Sequence, residues 1–129
     1  MRAEQVALSD DAIVIRGGRQ RDSSVIVTGL QQVVDDGGSP NLSVYAADPF
    51  PGDVLVTVAW LVKESQIPHT NVQVSTIGRL RASGFEILDV RRPDEPTCHY
   101  EYSFSLPLDQ YEVRRWISCF NDPIPTPRI

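Results

Sequence analysis

The sequence predicts an α/β or α+β domain: one mixed sheet of about five strands with helices packed on it, in the order β-α-β-α-β-α-β-β-α. Three observations lead there. Residues 98–106 alternate strictly, with Cys98, Tyr100, Tyr102, Phe104 and Leu106 on one face and His99, Glu101, Ser103 and Ser105 on the other. Successive strand side chains point to opposite faces, so this is a strand with one apolar side. Residues 12–15 (AIVI) and 42–46 (LSVYA) are short apolar runs bounded by Gly, Pro and Asp, as buried strands are. Asp109, Glu112 and the series Val113, Trp116, Ile117, Phe120 then give a helix with an acidic cap and an apolar stripe.

The other elements follow in order. Asp22 or Ser23 caps a helix whose Ile26, Leu30, Val33 and Val34 share a face. Residues 35–40 (DDGGSP) end it. Asp53 caps a second helix, with Val54, Val58, Leu61 and Val62 on one side and Leu55 and Trp60 widening it. That width predicts a heavily buried helix, although its β-branched content also suits a buried strand. Val72 and Val74 alternate with Gln73 and Ser75 as a strand. Thr76 caps a short helix carrying Ile77 and Leu80, and Gly84 suits the left-handed residue that closes it. Residues 85–90 (FEILDV) return as a strand. Leu108 is placed to pack on Val113 across the last helix cap. Asn121-Asp122-Pro123 stops that helix. Residues 1–122 therefore form one domain, and 123–129 an extended Pro-rich C-terminal tail.

Length and charge narrow the function. A chain of 129 residues is long enough to bury a real core. Its net charge of −5 does not favour non-specific nucleic-acid binding. Of the 12 basic residues only Lys63 is lysine. Codon bias towards Arg explains that, as does selection for bidentate contacts with phosphate or carboxylate. Cys98 and Cys119 form no CxxC pair, and no Walker loop, GxGxxG, GxSxG or metal-ligand spacing is present. No metal and no cofactor is expected. No signal peptide or membrane span is read, so the expected setting is cytoplasmic, with reduced thiols and no membrane partner.

The candidate chemistry lies in three places. Arg79, Arg81, Arg91, Arg92 and His99 are the densest positive group, and Arg with one His suits phosphate binding and proton transfer. The same residues also suit a solvated rim paired to Asp94 and Glu95. His99 and Glu101 share a strand face and are the catalytic candidates; an exposed polar sheet face is the plainer reading. Arg16, Gly17 and Gly18 at a strand end could cradle an anion, or make only a tight turn.

Arg16-Gly17-Gly18, Ser43-Val44-Tyr45 and Gly78-Arg79-Leu80-Arg81 with Gly84-Phe85 together resemble an RGG, SVY and GRLRxxGF pattern. It is found in small hypothetical proteins of actinobacteria and their mobile elements. The resemblance implies a bacterial, cytoplasmic setting and no particular activity. Arg16-Gly17 and Ser43 are also similar to the first two landmarks of ADP-ribosyltransferase-type domains; the late Glu motif of that fold is not visible. The expected function is a protein-binding module, such as an antitoxin, immunity or accessory protein, with a protein partner or a homo-oligomer. The alternatives are a toxin-like enzyme acting on RNA or a nucleotide through the Arg/His group, and a structural subunit of a phage or other particle that uses the tail as an arm.

Overall fold

The computed structural model describes residues 4–5, 8–50, 53–89, 94–95 and 98–128. The strands are β1 (Glu4–Gln5), β2 (Ile13–Gly17), β3 (Asn41–Ala47), β4 (Asn71–Thr76), β5 (Leu88–Asp89), β6 (His99–Ser103) and β7 (Ile124–Pro125). The helices are α1 (Ser23–Asp35), α2 (Val54–Ser65), α3 (Ile77–Ala82) and α4 (Gln110–Ser118). The five expected strands are β2 to β6, and all four expected helices form. The class is α plus β, with one sheet ordered β1-β5-β6-β3-β2-β4-β7.

Every strand pair is antiparallel. A sheet of mixed direction was expected from the early strand–helix alternation. The strands that α2 joins, β3 and β4, do run parallel, but they are not neighbours. β2 lies between them and pairs with both. Crossover and antiparallel pairing therefore coexist, because β2 is inserted into the crossover.

The strand β2 explains why the helices divide between two faces. Ala12 and Val14 join one core with Val44, Ala46, Phe85, Phe104 and Trp116. Ile13 and Ile15 join another with Val58, Leu61, Val62 and Val72. A strand apolar on both sides must be covered on both sides. α1, α3 and α4 cover the first face. Among the described residues, α2 is the one helix on the second.

The helix starts obey local chemistry. The Asp22 carboxylate accepts the Ser24 N–H at 2.9 Å, Asp53 that of Leu55 at 2.9 Å and Asp109 that of Tyr111 at 2.8 Å. Thr76 Oγ1 accepts the Arg79 N–H at 3.2 Å, and Gly84, at φ 87°, follows α3 as expected. The spacing of Asp109 and Glu112 predicts a capping box, with Glu112 reaching back to the cap, but Glu112 does not close one. Its carboxylate accepts the Tyr102 hydroxyl at 3.0 Å and the Ser105 N–H at 3.3 Å, fastening α4 to β6 instead.

The face assignment of residues 98–106 needs three corrections. Tyr100, Tyr102 and Phe104 pack on the first core as expected. Cys98 packs on the second, because it lies in a turn before β6 and its carbonyl accepts the Ala46 N–H at 3.0 Å. His99 is buried, not exposed. Leu106 lies in the turn beyond the strand and is exposed. Phe85, Tyr102, Phe104 and Phe120 all contact Trp116, with ring centroids 5.2 to 5.9 Å away. Burial together with the Glu112 bond pushes the Tyr102 hydroxyl up to about 12.

Trp116 is the centre of that aromatic group and has no exposed surface. Trp116→Ala is expected to cost about 3–5 kcal/mol of stability in denaturant titrations. Tyr111→Ala, on the exposed side of the same helix, is expected to stay within about 0.5 kcal/mol. Equal costs for the two changes would contradict this packing.

Candidate functional site

The β3–β6 ladder pairs Tyr45 with His99, Ser43 with Glu101 and Asn41 with Ser103. Strand alternation puts all six on one face, the face that carries α2. His99 is only 5% exposed there. Its Nε2 lies 3.0 Å from Ser43 Oγ and 3.6 Å from Glu101 Oε2. Its Nδ1 lies 2.9 Å from Glu95 Oε2, off the direction of an aligned hydrogen bond. The Asn41 amide donates to Glu101 Oε1 at 3.0 Å. The Tyr45 ring packs on the imidazole at 5.4 Å. The Tyr45 hydroxyl is pushed up, first by its own burial and then by Cys98, Glu95 and Glu101. An imidazole between two carboxylates and a hydroxyl can hold or move a proton.

Ser43 is exposed and also borders a cavity of about 220 Å³. Gly17, Tyr45, Gln66, Ile67 and His69 line it as well. The sequence reading placed His99 with Glu101 but gave Ser43 no role beside them. A single Ser inside an apolar strand was the available signal. The His69 ring lies where a Cβ of residue 17 would be, so a side chain there would displace that ring.

The Arg16-Gly17-Gly18 segment is a fastened turn. Gly18 has φ 93°, and its N–H donates to the Asn71 carbonyl at 2.8 Å. Gln73, fully buried, donates to the Gly18 and Gln20 carbonyls at 3.2 and 3.3 Å. It accepts from Arg21 at 2.8 Å. Arg16 donates to the Gln20 carbonyl at 3.2 Å, and its guanidinium lies 5.7 Å from the Phe120 ring centre. Phe120 belongs to the first core, and Arg16 also borders the cavity that Ser43 lines. Burial first, and Arg21 second, lower the Arg16 pKa to about 10.

The helical arginines are engaged elsewhere. Arg79 donates to Asn121 Oδ1 at 2.7 Å and the Ser118 carbonyl at 3.3 Å. Arg81 pairs with Asp10 at 2.8 Å and Glu86 at 3.3 Å. The Asp10 bond is the main reason its pKa is raised. α3 covers the face opposite His99, so neither arginine joins the imidazole. Arg91 and Arg92 lie outside the described residues.

A second surface includes Val54 and Leu55, which the helical pattern places on the buried side. Val54, Leu55 and Val56 are 52%, 58% and 49% exposed, and Phe50 is 38% exposed. Only the later turns of α2, from Thr57 onward, reach the sheet. Phe50 leans edge-on against Trp60 at 5.8 Å. Comparison with protein-family models, curated proteins and solved structures finds no match to this chain. Among the described residues, no helix is long and apolar enough to cross a membrane.

Beside His99, burial pushes the Cys98 thiol up to about 11. The thiolate is the reactive form, so iodoacetamide at pH 8 is expected to leave Cys98 unmodified in the native protein and to alkylate it after unfolding. Rapid native alkylation, read by mass spectrometry, would contradict its placement.

Proposed function

We propose that the chain is a small cytoplasmic bacterial protein-binding module, of the antitoxin, immunity or accessory kind. Its docking surface is Phe50 with the first turn of α2. One observation carries this reading: consecutive apolar side chains stand in solvent at the start of a helix whose other half is core. Such a run costs solubility and is kept where a partner covers it. Asp48 and Asp53 flank it in the chain, and the net charge is −5. The fitting partner is a protein with an apolar groove and a basic rim, since opposite potentials align interfaces and speed encounter.

Two other readings have less support. A toxin-like enzyme acting on RNA or a nucleotide draws on His99 between its carboxylates, but Arg79 and Arg81 contribute nothing to it. A particle subunit would use the tail as an arm, yet Ile124–Pro125 pairs with β4. Thr126 also donates to the Thr70 and His69 carbonyls at 2.9 and 2.7 Å.

The test is a titration against the basic product of a co-transcribed gene, with light scattering of the chain alone to detect a second copy as partner. Leu55→Asp is expected to weaken association by at least about 2 kcal/mol, as loss of an interface anchor does. It is expected to leave thermal stability unchanged, because Leu55 is already exposed. A concentration-independent monomer that binds no such product would overturn the proposal.

A further inference from the structure

We propose that Ser43 is a nucleophile, activated by His99 and Glu95, that hydrolyses small esters in the cavity beside it. This goes beyond the docking reading and rests on different residues. The geometry has three parts. Ser43 Oγ is 3.0 Å from His99 Nε2, within reach of direct proton transfer. The other ring nitrogen of His99 is 2.9 Å from the Glu95 carboxylate, a close charge contact that a small turn of the imidazole would align as a hydrogen bond. Ser43 borders the cavity while His99 sits behind it, so the hydroxyl is presented and the base is shielded.

That order of nucleophile, imidazole and carboxylate is the one by which a neutral hydroxyl is made to attack. Gln66 and His69 line the same cavity and are the residues there whose N–H groups could meet a developing oxyanion. Glu101 Oε2, 3.6 Å from Nε2, favours the imidazolium once it forms. It also competes for the proton when Nε2 is the protonated nitrogen. Activity therefore needs the tautomer with its proton on Nδ1, facing Glu95. A cavity of about 220 Å³ is below the usual size of drug-binding pockets, so the acyl group is short.

The step balances with water alone. As the Ser43 Oγ–carbon bond forms, the hydroxyl proton moves to His99 Nε2 and the carbonyl electron pair moves onto oxygen. Collapse breaks the bond to the leaving alcohol, which takes the proton from His99. Water then repeats both steps, releasing the carboxylic acid and restoring Ser43.

The experiment is labelling of the intact chain with a fluorophosphonate probe, mapped by mass spectrometry, beside hydrolysis of p-nitrophenyl acetate. Modification is expected at Ser43 alone. Ser43→Ala is expected to abolish labelling and hydrolysis. His99→Gln is expected to lower both at least 100-fold. Glu95→Gln is expected to lower them about tenfold and to shift the pH profile, a change that a purely structural role would not produce. Circular dichroism establishes that each variant is folded. Absence of Ser43 labelling in the folded wild-type chain, or equal hydrolysis by wild type and Ser43→Ala, overturns the proposal. Neither result bears on docking at Leu55.

Discussion

The constraint on which the structure depends is that β2 is apolar on both sides. Ala12, Ile13, Val14 and Ile15 leave at most 4% of any side chain exposed. A strand of this kind cannot stand at an edge or face water. It must sit inside the sheet with helices above and below. Pairing with β3 and β4 meets the first need. Sending α2 to one face and α1, α3 and α4 to the other meets the second.

The functional surfaces follow from the unequal cover. Three helices and an aromatic group fill the first face. On the second, α2 is the only helix among the described residues, and it lies over β2 and β3 through Val58, Leu61 and Val62. The outer part of that face, from Ser43 across to β6, is left to Ser43, Tyr45, His99 and Glu101. The start of α2 overruns the sheet and leaves Leu55 in solvent. One helix doing the work of a layer thus produces both a polar cluster with a cavity and an apolar docking turn.

Much of this was legible in the sequence, because local chemistry sets it. Asp22, Asp53, Thr76 and Asp109 each cap the helix their position announced. Tyr100, Tyr102 and Phe104 show the strand period directly. What the sequence concealed depends on pairing at a distance. Alternation cannot reveal that β2 enters the β3–β4 crossover. The period of α2 marked Val54 as core, but the sheet ends before the helix does. His99 reads as exposed by parity, and it is Tyr45 and Glu95, brought in by folding, that bury it. Within the candidate site, His99 and Glu101 were visible as strand neighbours, whereas Ser43 joined them only across strands. Arg79 and Arg81 looked available because their partners, Asn121 and Asp10, lie far away in the chain.

The central claim is that β2 is the inner strand of a sheet covered on both faces. Native-state hydrogen exchange tests it most directly, since amides that open only with global unfolding mark the true centre of a fold. The amides of Val14, Ile15 and Arg16 should be among the slowest to exchange, with protection equal to the global stability. Those in the first turn of α2 should exchange orders of magnitude faster. Fast exchange along β2, with slow exchange confined to α4 and β6, would mean that the core lies on one face only and would contradict the account.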